Sequence, residues 1–273
     1  MRVVLCACFW RCVDLFAEER RQLIKNLLEK NGSVSTKELS DSFEVSIETV
    51  RRDLLQMEQD GLLSRVHGGA VKLGEMRPFH ELSVRVTENS DKKLELCRTA
   101  ALLIDEGDII FIDAGSTAVC FSQVLHERFE NLTVITHSLD VLNILKNKKG
   151  IRIILCGGHF DPVENAFTGP LTSQALSTLN VSKAFIFPST VSLSQGICDH
   201  HKDLFVIQQQ AVGAADKIFI LADSSKFEHR QLLKIADMSA QYTYVTDSAL
   251  PESLKQMYLG NHLRIITGKD DLI

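Results

Sequence analysis

The chain has 273 residues, of which 45% are hydrophobic and 24% charged, and its formal net charge is -5. This length suggests two domains or one large one, and the composition is that of a soluble globular protein. The apolar run at the start of the chain is far shorter than the ~20 residues that span a membrane, so no membrane partner is expected. Residues 17–73 carry nine Lys/Arg against ten Asp/Glu, so DNA binding has to be inferred from pattern rather than from charge.

The seven cysteines are an odd number at irregular spacing, which argues against a disulfide framework. Four lie in or beside apolar runs and are predicted to be buried free thiols in a reducing cytoplasm: Cys97, Cys120, Cys156 and Cys198. The other three stand near the start as Cys-x-Cys-x3-Cys without further ligands nearby, so no metal and no other cofactor is expected. Residues 1–14 are predicted to be a dispensable tail or an artefact of start-codon assignment, with Val13 or Leu15 as the true start.

The segment AEERRQLIKNLLEKNG has apolar residues at helical spacing and predicts a helix that stops at Asn31-Gly32. Ser35 and Glu38 then form a capping box that opens a short second helix. The buried face of that helix is predicted to consist of Leu39 and Phe43.

A third helix is predicted from SIETVRRDLL, residues 46–55, with Ser46 as its N-cap. Its buried stripe is predicted at helical spacing and comprises Ile47, Val50, Leu54 and Met57. Its outer face presents Thr49, Arg52 and Gln56, with Arg51 beside them. An alternative is that both arginines are merely solvated and paired with Glu48 or Asp53.

The following segment LLSRVHGGAVKL places apolar-alternating runs on either side of Gly68-Gly69, which predicts a hairpin with a two-residue turn. Three helices and a hairpin make residues 16–73 a winged helix-turn-helix, whose third helix enters the major groove of double-stranded operator DNA. The hairpin carries basic side chains toward the DNA backbone. The predicted DNA-binding residues are Ser46, Thr49, Arg51, Arg52, Gln56, Arg65, His67 and Lys72.

Residues 74–91 contain Pro78 and little apolar periodicity, so they are interpreted as a linker, with room for a short element between the domains. Residues 92–273 begin with a helix and then show apolar runs at DIIFIDAG, LTVITHS, IRIILCGG, KAFIFPS, KIFILADSS, TYVTDS and LRIITG. Helix-length segments separate most of them, such as residues 117–129, 138–147 and 203–215. This alternation predicts an α/β domain with a doubly wound, mostly parallel sheet.

Small polar residues follow several of these strands, at the sheet edge where such folds bind ligands. Glycines, hydroxyls, a helix N-terminus and a lysine together suit a phosphate, although neither a Walker loop nor a dinucleotide fingerprint is present. Asp199 and Asp203 are further candidates for sugar hydroxyls, or else solvated loop acids. The predicted effector-binding residues are Asp113, Gly115, Ser116, Thr117, His137, Ser138, Gly157, Gly158 and Lys226.

From about residue 16 onward the chain resembles the DeoR family of bacterial transcriptional regulators, through Glu19-Arg20-Arg21-Gln22, SIETVRRDL and RVHGGA. The resemblance implies a sensor domain similar in fold to sugar-phosphate isomerases, and a repressor of a carbohydrate-metabolism operon that answers to a phosphorylated sugar. DAGST, CGG, Gly169-Pro170 and DSSKF match that pattern. Ala118, His137 and FIFPSTVSLSQG depart from it and leave the effector's identity open.

Two alternatives remain beside a regulator without enzyme activity. One is an isomerase-like enzyme with an accessory DNA-binding domain, for which Asp113 or His137 would supply the base. The other is a degenerate sensor that binds DNA without a ligand. A homo-oligomer is expected because specific operator binding usually combines two half-sites. The sensor domain is the expected assembly surface, since the apolar residues of the first domain are needed for its own core.

Overall fold

The computed structural model describes residues 17–66, 68–72 and 80–268. The chain divides into two compact units, residues 1–73 and 74–273. The predictions about residues 1–14, His67 and the first part of the linker lie outside the described residues.

The first unit contains the predicted helices and hairpin. Its elements are α1 (Ala17–Asn31), β1 (Ser33–Ser35), α2 (Thr36–Phe43), α3 (Ile47–Gln59), β2 (Leu63–Val66) and β3 (Gly69–Lys72). Both predicted N-caps are confirmed: the Ser35 hydroxyl accepts from the Glu38 amide at 3.5 Å, and the Ser46 hydroxyl accepts from the Thr49 amide at 3.1 Å. These bonds satisfy donors that a helix start otherwise leaves open.

The hairpin belongs to a small antiparallel sheet with the strand order β1-β3-β2. Strand β1 was not predicted, because three residues between two helices carry no recognisable strand pattern. Gly69 pairs with Val66 inside the ladder, so the prediction that Gly69 forms part of the turn is wrong. Gly68 has a φ of +82°, a conformation that glycine adopts without steric cost.

The core of the first unit confirms most of the predicted apolar face of α3, since Val50, Leu54 and Met57 are buried. Ile47 is 45% exposed, so its assignment to the buried stripe is wrong. It occupies the first position of α3, one turn before Val50, and is absent from the core cluster that the other three join. That cluster consists of Ile24, Leu28, Val34, Leu39, Val50, Leu54, Met57, Leu63 and Ala70.

A buried ion pair adds to this core. Arg20 Nε lies 2.8 Å from Asp53 Oδ2, with only about a tenth of each side chain exposed. Asp53 therefore pairs with α1. The alternative interpretation, in which Asp53 pairs with Arg51 or Arg52 on its own helix, is wrong.

The second unit alternates strands and helices as predicted. Its helices are α4 (Leu82–Thr87), α5 (Ser90–Ala101), α6 (Ser116–Arg128), α7 (Leu139–Leu145), α8 (Pro170–Ser177), α9 (Lys202–Ala214) and α10 (Glu252–Gly260). Its strands are β4 (Ile109–Ile112), β5 (Leu132–Thr136), β6 (Ile151–Leu155), β7 (His159–Asp161), β8 (Ala166–Thr168), β9 (Val181–Ile186), β10 (Thr190–Ser192), β11 (Gly196–Asp199), β12 (Ala215–Leu221), β13 (Leu233–Ala236), β14 (Tyr242–Val245) and β15 (Arg264–Ile266).

Within residues 80–268, each of the seven predicted apolar runs supplies one strand of a parallel sheet ordered β15-β14-β12-β9-β4-β5-β6. The chain winds outward from β4 through β5 to β6, and the later strands lie on the other side of β4. The order therefore reverses between β4 and β9. In such sheets a crevice opens beyond the carboxyl ends of the strands at this reversal. Strands β10, β11 and β13 form a second sheet, and β7 pairs with β8.

The interval interpreted as a linker contains a helix, because α4 spans residues 82–87 and packs against α6 in the second unit. Helix α5 starts at Ser90, two residues before the predicted start. The ammonium group of Lys93 is buried and donates to the carbonyl oxygens of Arg85 and Glu88, which ties the end of α4 to α5.

The four cysteines predicted to be free thiols lie among the described residues, and none of them forms a disulfide bond with another. Cys97, Cys156 and Cys198 are buried, whereas Cys120 is only partly buried. The part of the chain that the structure describes contains no helix of the length and apolar character that a membrane span requires.

Candidate functional site

The outer face of α3 presents the predicted arginine pair to solvent. Arg51 and Arg52 are exposed, as are Ser46 and Gln56, and Thr49 is partly buried. Arg52 Nε lies 3.8 Å from Glu48 Oε1, and the Arg52 side chain is 80% exposed. Such an exposed pair contributes little, so both guanidinium groups remain accessible to a partner.

The predicted contact residues of the hairpin differ in their surroundings. Arg65 donates from its backbone amide and from Nε to the two carboxylate oxygens of Glu58, each at 2.8 Å. These two bonds fix β2 against α3 and lower the pKa of Glu58. Lys72 is half-buried at the end of β3, and His67 lies outside the described residues. A DNA contact by Arg65 or Lys72 stays a prediction.

In the second unit a pocket opens beyond the carboxyl ends of β4 and β9. It brings together four of the predicted effector residues: Gly115, Ser116, Thr117 and Lys226. The other polar or charged residues lining it are His80, Arg85, Glu88, Glu164, Ser189, Asp199, His200, Gln208 and Gln231.

One wall of the pocket is the start of α6. Gly115 is the N-cap, with a φ of +109° and no side-chain cap bond. The first amides of a helix lack intrahelical acceptors and lie at the positive end of its dipole. Ser116 and Thr117 are nearly fully buried there, and the Thr117 hydroxyl has no hydrogen-bond partner among the described residues. This wall suits an anion.

Two cations border the same wall. Lys226, buried beyond the end of β12, donates from Nζ to the Pro188 carbonyl at 3.0 Å. Arg85, on α4, places Nη2 2.5 Å from Glu164 Oε1 and donates from Nε to the His80 carbonyl at 2.8 Å. A Cβ added to Gly115 would lie 3.8 Å from Arg85 Nη1, so this guanidinium reaches the start of α6.

A second part of the pocket lining is acidic and carries a histidine. Burial by itself raises the pKa of Asp199, but hydrogen bonds from His200, Gln208 and the His201 amide hold it at about 2. Burial lowers the pKa of His200, and the carboxylates of Asp199 and Glu164 more than compensate, so the net shift is upward. Burial also raises the pKa of Glu164, yet bonds from His200 and Arg85 leave it lowered. This side therefore presents ionised acceptors.

The structure does not bring the remaining predicted effector residues to the pocket. Asp113 and His137 are fully buried beneath it, with His137 Nε2 3.2 Å from Asp113 Oδ1. Asp113 also accepts from the Phe187 amide at 3.1 Å and from Gln208 Nε2 at 2.9 Å. Ser138 caps α7 by accepting from the Val141 amide at 3.4 Å. None of the three lines the pocket, and their polar groups bond to the protein's own backbone and side chains, so an effector contact by them stays a prediction.

Gly157 and Gly158 likewise do not line the pocket. The Gly157 carbonyl accepts from the Thr172 hydroxyl at 3.1 Å. A Cβ on Gly158 would lie 2.2 Å from Thr172 Oγ1 and 2.6 Å from the Thr168 carbonyl. The second glycine therefore permits close packing of α8 rather than the approach of a ligand. Of the two further acids considered, Asp199 lines the pocket, whereas Asp203 is exposed in the first turn of α9.

Sequence reasoning missed several lining residues. Arg85 lies in the interval interpreted as a linker, and Glu164 lies in a loop without a motif. Gln208 is a buried polar residue in the middle of α9, and its side chain bridges Asp113 and Asp199 at 2.9 and 3.0 Å. Of these residues, only His200 could have been found from the sequence, because the polar run Asp199-His200-His201 directly follows the apolar pair Ile197-Cys198.

The fold and these two sites define a DNA-binding transcriptional regulator with an α/β domain that senses a small molecule. A family model of the DeoR-like helix-turn-helix domain matches residues 20–75, and one of the DeoR C terminal sensor domain matches residues 88–248. The chain therefore belongs to the DeoR family, as the sequence motifs predicted.

Relatives extend over most of the chain. The HTH-type transcriptional regulator YulB of Bacillus subtilis is 33% identical over 89% of this chain and 94% of its own length. The lactose phosphotransferase system repressor of Lactococcus lactis is 33% identical over 88% of this chain and 94% of its own. Among solved structures, ribose 5-phosphate isomerase A from Methanocaldococcus jannaschii is similar at 19% identity and a TM-score of 0.39. That match covers 51% of this chain and 55% of the isomerase, about half of its length.

Proposed function

We propose that this regulator is a cytoplasmic repressor of a carbohydrate-metabolism operon and that a phosphorylated sugar controls it. The observation that carries the proposal is the meeting of the α6 N-terminus with Arg85 and Lys226 in one pocket. A phosphate dianion requires amide and hydroxyl donors together with cations, and these groups supply them.

The acidic side of the pocket supports a sugar as the rest of the ligand. The Gln208 Oε1 and Glu164 Oε2 atoms are buried and have no hydrogen-bond partner within the described residues. Both are acceptors, and sugar hydroxyls are donors that would satisfy them. Phosphate at the α6 wall and hydroxyls at the acidic wall fit one small molecule.

The names of relatives agree with this proposal. One is the lactose phosphotransferase system repressor of Lactococcus lactis, and another is a putative aga operon transcriptional repressor of Escherichia coli O157:H7. The Haemophilus influenzae relative is named an L-fucose operon activator, so the direction of regulation varies among relatives. No cofactor is needed for the proposed role.

We also propose that the pocket performs no turnover. The two bases that the sequence offered for an isomerase, Asp113 and His137, are bonded to one another and buried outside the pocket lining. The departures Ala118 and His137 also lie outside it, whereas Phe187, Pro188 and Ser189 of the third departure do line it.

The test is a thermal-shift screen of sugar phosphates, since a ligand that binds only the native protein raises its stability. Operator titrations with and without the most stabilising compound then measure control. Product analysis after incubation with the same compounds tests for turnover; detectable product would favour the enzyme. If no sugar phosphate shifts the protein or changes operator affinity, the degenerate sensor is the better account.

Lys226→Ala is expected to abolish the ligand response while leaving ligand-free operator affinity near that of the unchanged protein. It removes a buried cation from the proposed phosphate site and touches no DNA-binding residue. The measurement is operator titration with and without the sugar phosphate that the screen selects. The control is Lys217→Ala, which removes an exposed lysine at the amino end of β12, away from the pocket. Equal responses of the Lys226 variant and the control would remove Lys226 from the site.

We propose that the protein acts as a homo-oligomer, because one winged helix offers a small interface and two symmetric half-sites supply specific affinity. The sensor domain was expected to be the assembly surface because the first domain needed its apolar residues for its own core. That argument does not hold, because the first unit also exposes large apolar side chains: Leu23, Ile47, Leu55 and Leu62. Light scattering is expected to show at least a dimer at operator-binding concentrations. A monomer with full operator affinity would contradict the proposal.

A further inference from the structure

We infer that the Arg85–Glu164 ion pair is a latch that the ligand opens, and that opening it moves α4 and so reports ligand binding toward the DNA-binding unit. The inference rests on the proposed function of the pocket and specifies its regulation. It also sets a requirement on the ligand: an anionic group alone does not suffice.

The first observation is where Arg85 sits. It lies on α4, the first described helix after the segment that joins the two units along the chain. Its guanidinium lines the pocket and is about one-fifth exposed, whereas its partner Glu164 is fully buried. Arg85 is thus a pocket residue on the helix of the second unit that is nearest in sequence to the first unit.

The second observation is the anion site beside this pair. The Arg85 guanidinium reaches Gly115 at the start of α6, where Ser116, Thr117 and Lys226 are arranged for an anion. A guanidinium presents its donors in a planar fork that matches phosphate as well as carboxylate. Nη1 of this fork faces Gly115 and Nη2 holds Glu164, so a phosphate that binds both nitrogens displaces Glu164 from Arg85.

The third observation concerns the hydrogen bonds that remain to Glu164 once Arg85 turns to the phosphate. Its Oε1 is 2.5 Å from Arg85 Nη2 and 3.8 Å from His200 Nε2, and its Oε2 has no partner among the described residues. A buried carboxylate that loses its cation carries a large desolvation cost. Bound phosphate alone would impose that cost without offsetting it.

A ligand with hydroxyl groups offsets the cost. Hydroxyl donors from the sugar, together with the His200 ring, can satisfy both carboxylate oxygens of Glu164 as Arg85 turns toward the phosphate. Inorganic phosphate is therefore expected to bind weakly and to leave operator affinity unchanged, whereas a sugar phosphate opens the latch. The preference for a sugar phosphate over inorganic phosphate therefore arises because the ligand must replace Arg85 as the partner of Glu164, and not only because it contacts the anion site.

The opened latch reaches α4 through the backbone of the same residue. Helix α4 packs against α6, and the Lys93 ammonium of α5 binds its Arg85 and Glu88 carbonyl oxygens. The Arg85 side chain adds a contact to Glu164 in the pocket. Replacing the Arg85–Glu164 contact by an Arg85–phosphate contact changes the free energy of one position of α4 relative to another. A ligand controls DNA binding only through such a difference between states.

The decisive variant is Glu164→Gln, which keeps the side-chain shape and removes the charge that holds Arg85. The ligand-free variant is expected to resemble the liganded wild type. Its operator affinity should shift to the liganded wild-type value, and the ratio of affinities with and without ligand should shrink by at least about fivefold. Inorganic phosphate should now produce a thermal shift that the wild type does not show. The probes are inorganic phosphate and the most stabilising member of a panel of glucose 6-phosphate, fructose 6-phosphate and ribose 5-phosphate.

The control is Glu88→Gln, which removes a second carboxylate from the same pocket; this carboxylate is paired with the His80 ring at 2.5 Å and not with the Arg85 guanidinium. General relief of repulsion would strengthen anion binding in both variants, and loss of a ligand contact would shrink the operator ratio in the Glu164 variant. Only the latch predicts that the ligand-free Glu164 variant already has the operator affinity of the liganded wild type. If Glu164→Gln does not fold, Arg85→Lys supplies the test, because it keeps the charge and loses the fork. It is expected to shrink the ratio measured at saturating ligand, a condition under which weaker ligand binding alone leaves the ratio unchanged. A wild-type ratio in the folded variant overturns the latch and leaves the proposed function standing. No response of the wild type to any sugar phosphate overturns the proposed function itself.

Discussion

Replacing Asp113 by alanine is expected to destabilise the second unit by ~3–5 kcal/mol, since each buried donor left without its acceptor costs ~1–3 kcal/mol. Asp113 is fully buried, accepts from the Phe187 amide and Gln208 Nε2, and lies 3.2 Å from His137 Nε2. These bonds join β4, β9 and α9 beneath the pocket. Asp113→Asn keeps the shape and is expected to cost less, although its amide nitrogen must face a donor.

The measurement is unfolding in denaturant, combined with hydrogen exchange of residues 181–187 to assign the loss to the second unit. Two units need not unfold in one transition, so the exchange data are necessary. Asp203→Ala is the matched control, because that carboxylate is exposed on α9 and its loss is expected to stay within ~0.5 kcal/mol. A stable Asp113→Ala variant that has lost its ligand response would restore Asp113 to the effector site.

The contrast between Asp113 and Ser116 shows how far strand-end patterns can be read. The sequence predicts that both lie at the carboxyl edge of β4, and they do. Which of them faces a cavity depends on what packs above the edge, here the segment from Phe187 to Ser189 and helix α9. Those elements come from more than 70 residues later, and their polar atoms take the bonds of Asp113. Local sequence therefore predicts which residues lie at the carboxyl edge of the sheet, but not which of them are buried and which line the pocket.

Arg85 shows the opposite failure. A six-residue helix has too few turns to show apolar periodicity, and α4 leaves Val84 and Val86 exposed, so nothing in the local pattern separates it from a linker. Its position depends on packing against α6, on the Lys93 ammonium and on Glu164, which is 79 residues away. The seven sheet strands, by contrast, are long apolar runs whose burial on both faces leaves a direct trace in composition. Their prediction needed no knowledge of distant partners.

The double substitution Arg51→Ala/Arg52→Ala is expected to weaken operator binding by at least ~2 kcal/mol, about thirtyfold in Kd. The two guanidinium groups lie on the exposed face of α3, and the Arg52–Glu48 ion pair is long and open to solvent. Loss of exposed side chains is expected to change folding stability by no more than ~0.5 kcal/mol. The effect on DNA binding is then separable from any effect on folding.

Operator titration at several salt concentrations distinguishes the two kinds of contact. An arginine that reads a base edge costs ~1–3 kcal/mol on the operator and relaxes discrimination against mutated sites. An arginine on a phosphate weakens binding to all sequences and lowers the salt slope by about one per contact. Lys25→Ala/Lys30→Ala is the matched control, because it removes two exposed positive charges from α1 in the same unit. Similar losses in both double variants would mean that net charge alone accounts for the binding. Unchanged operator affinity in the arginine variant would place the DNA contact elsewhere than on α3.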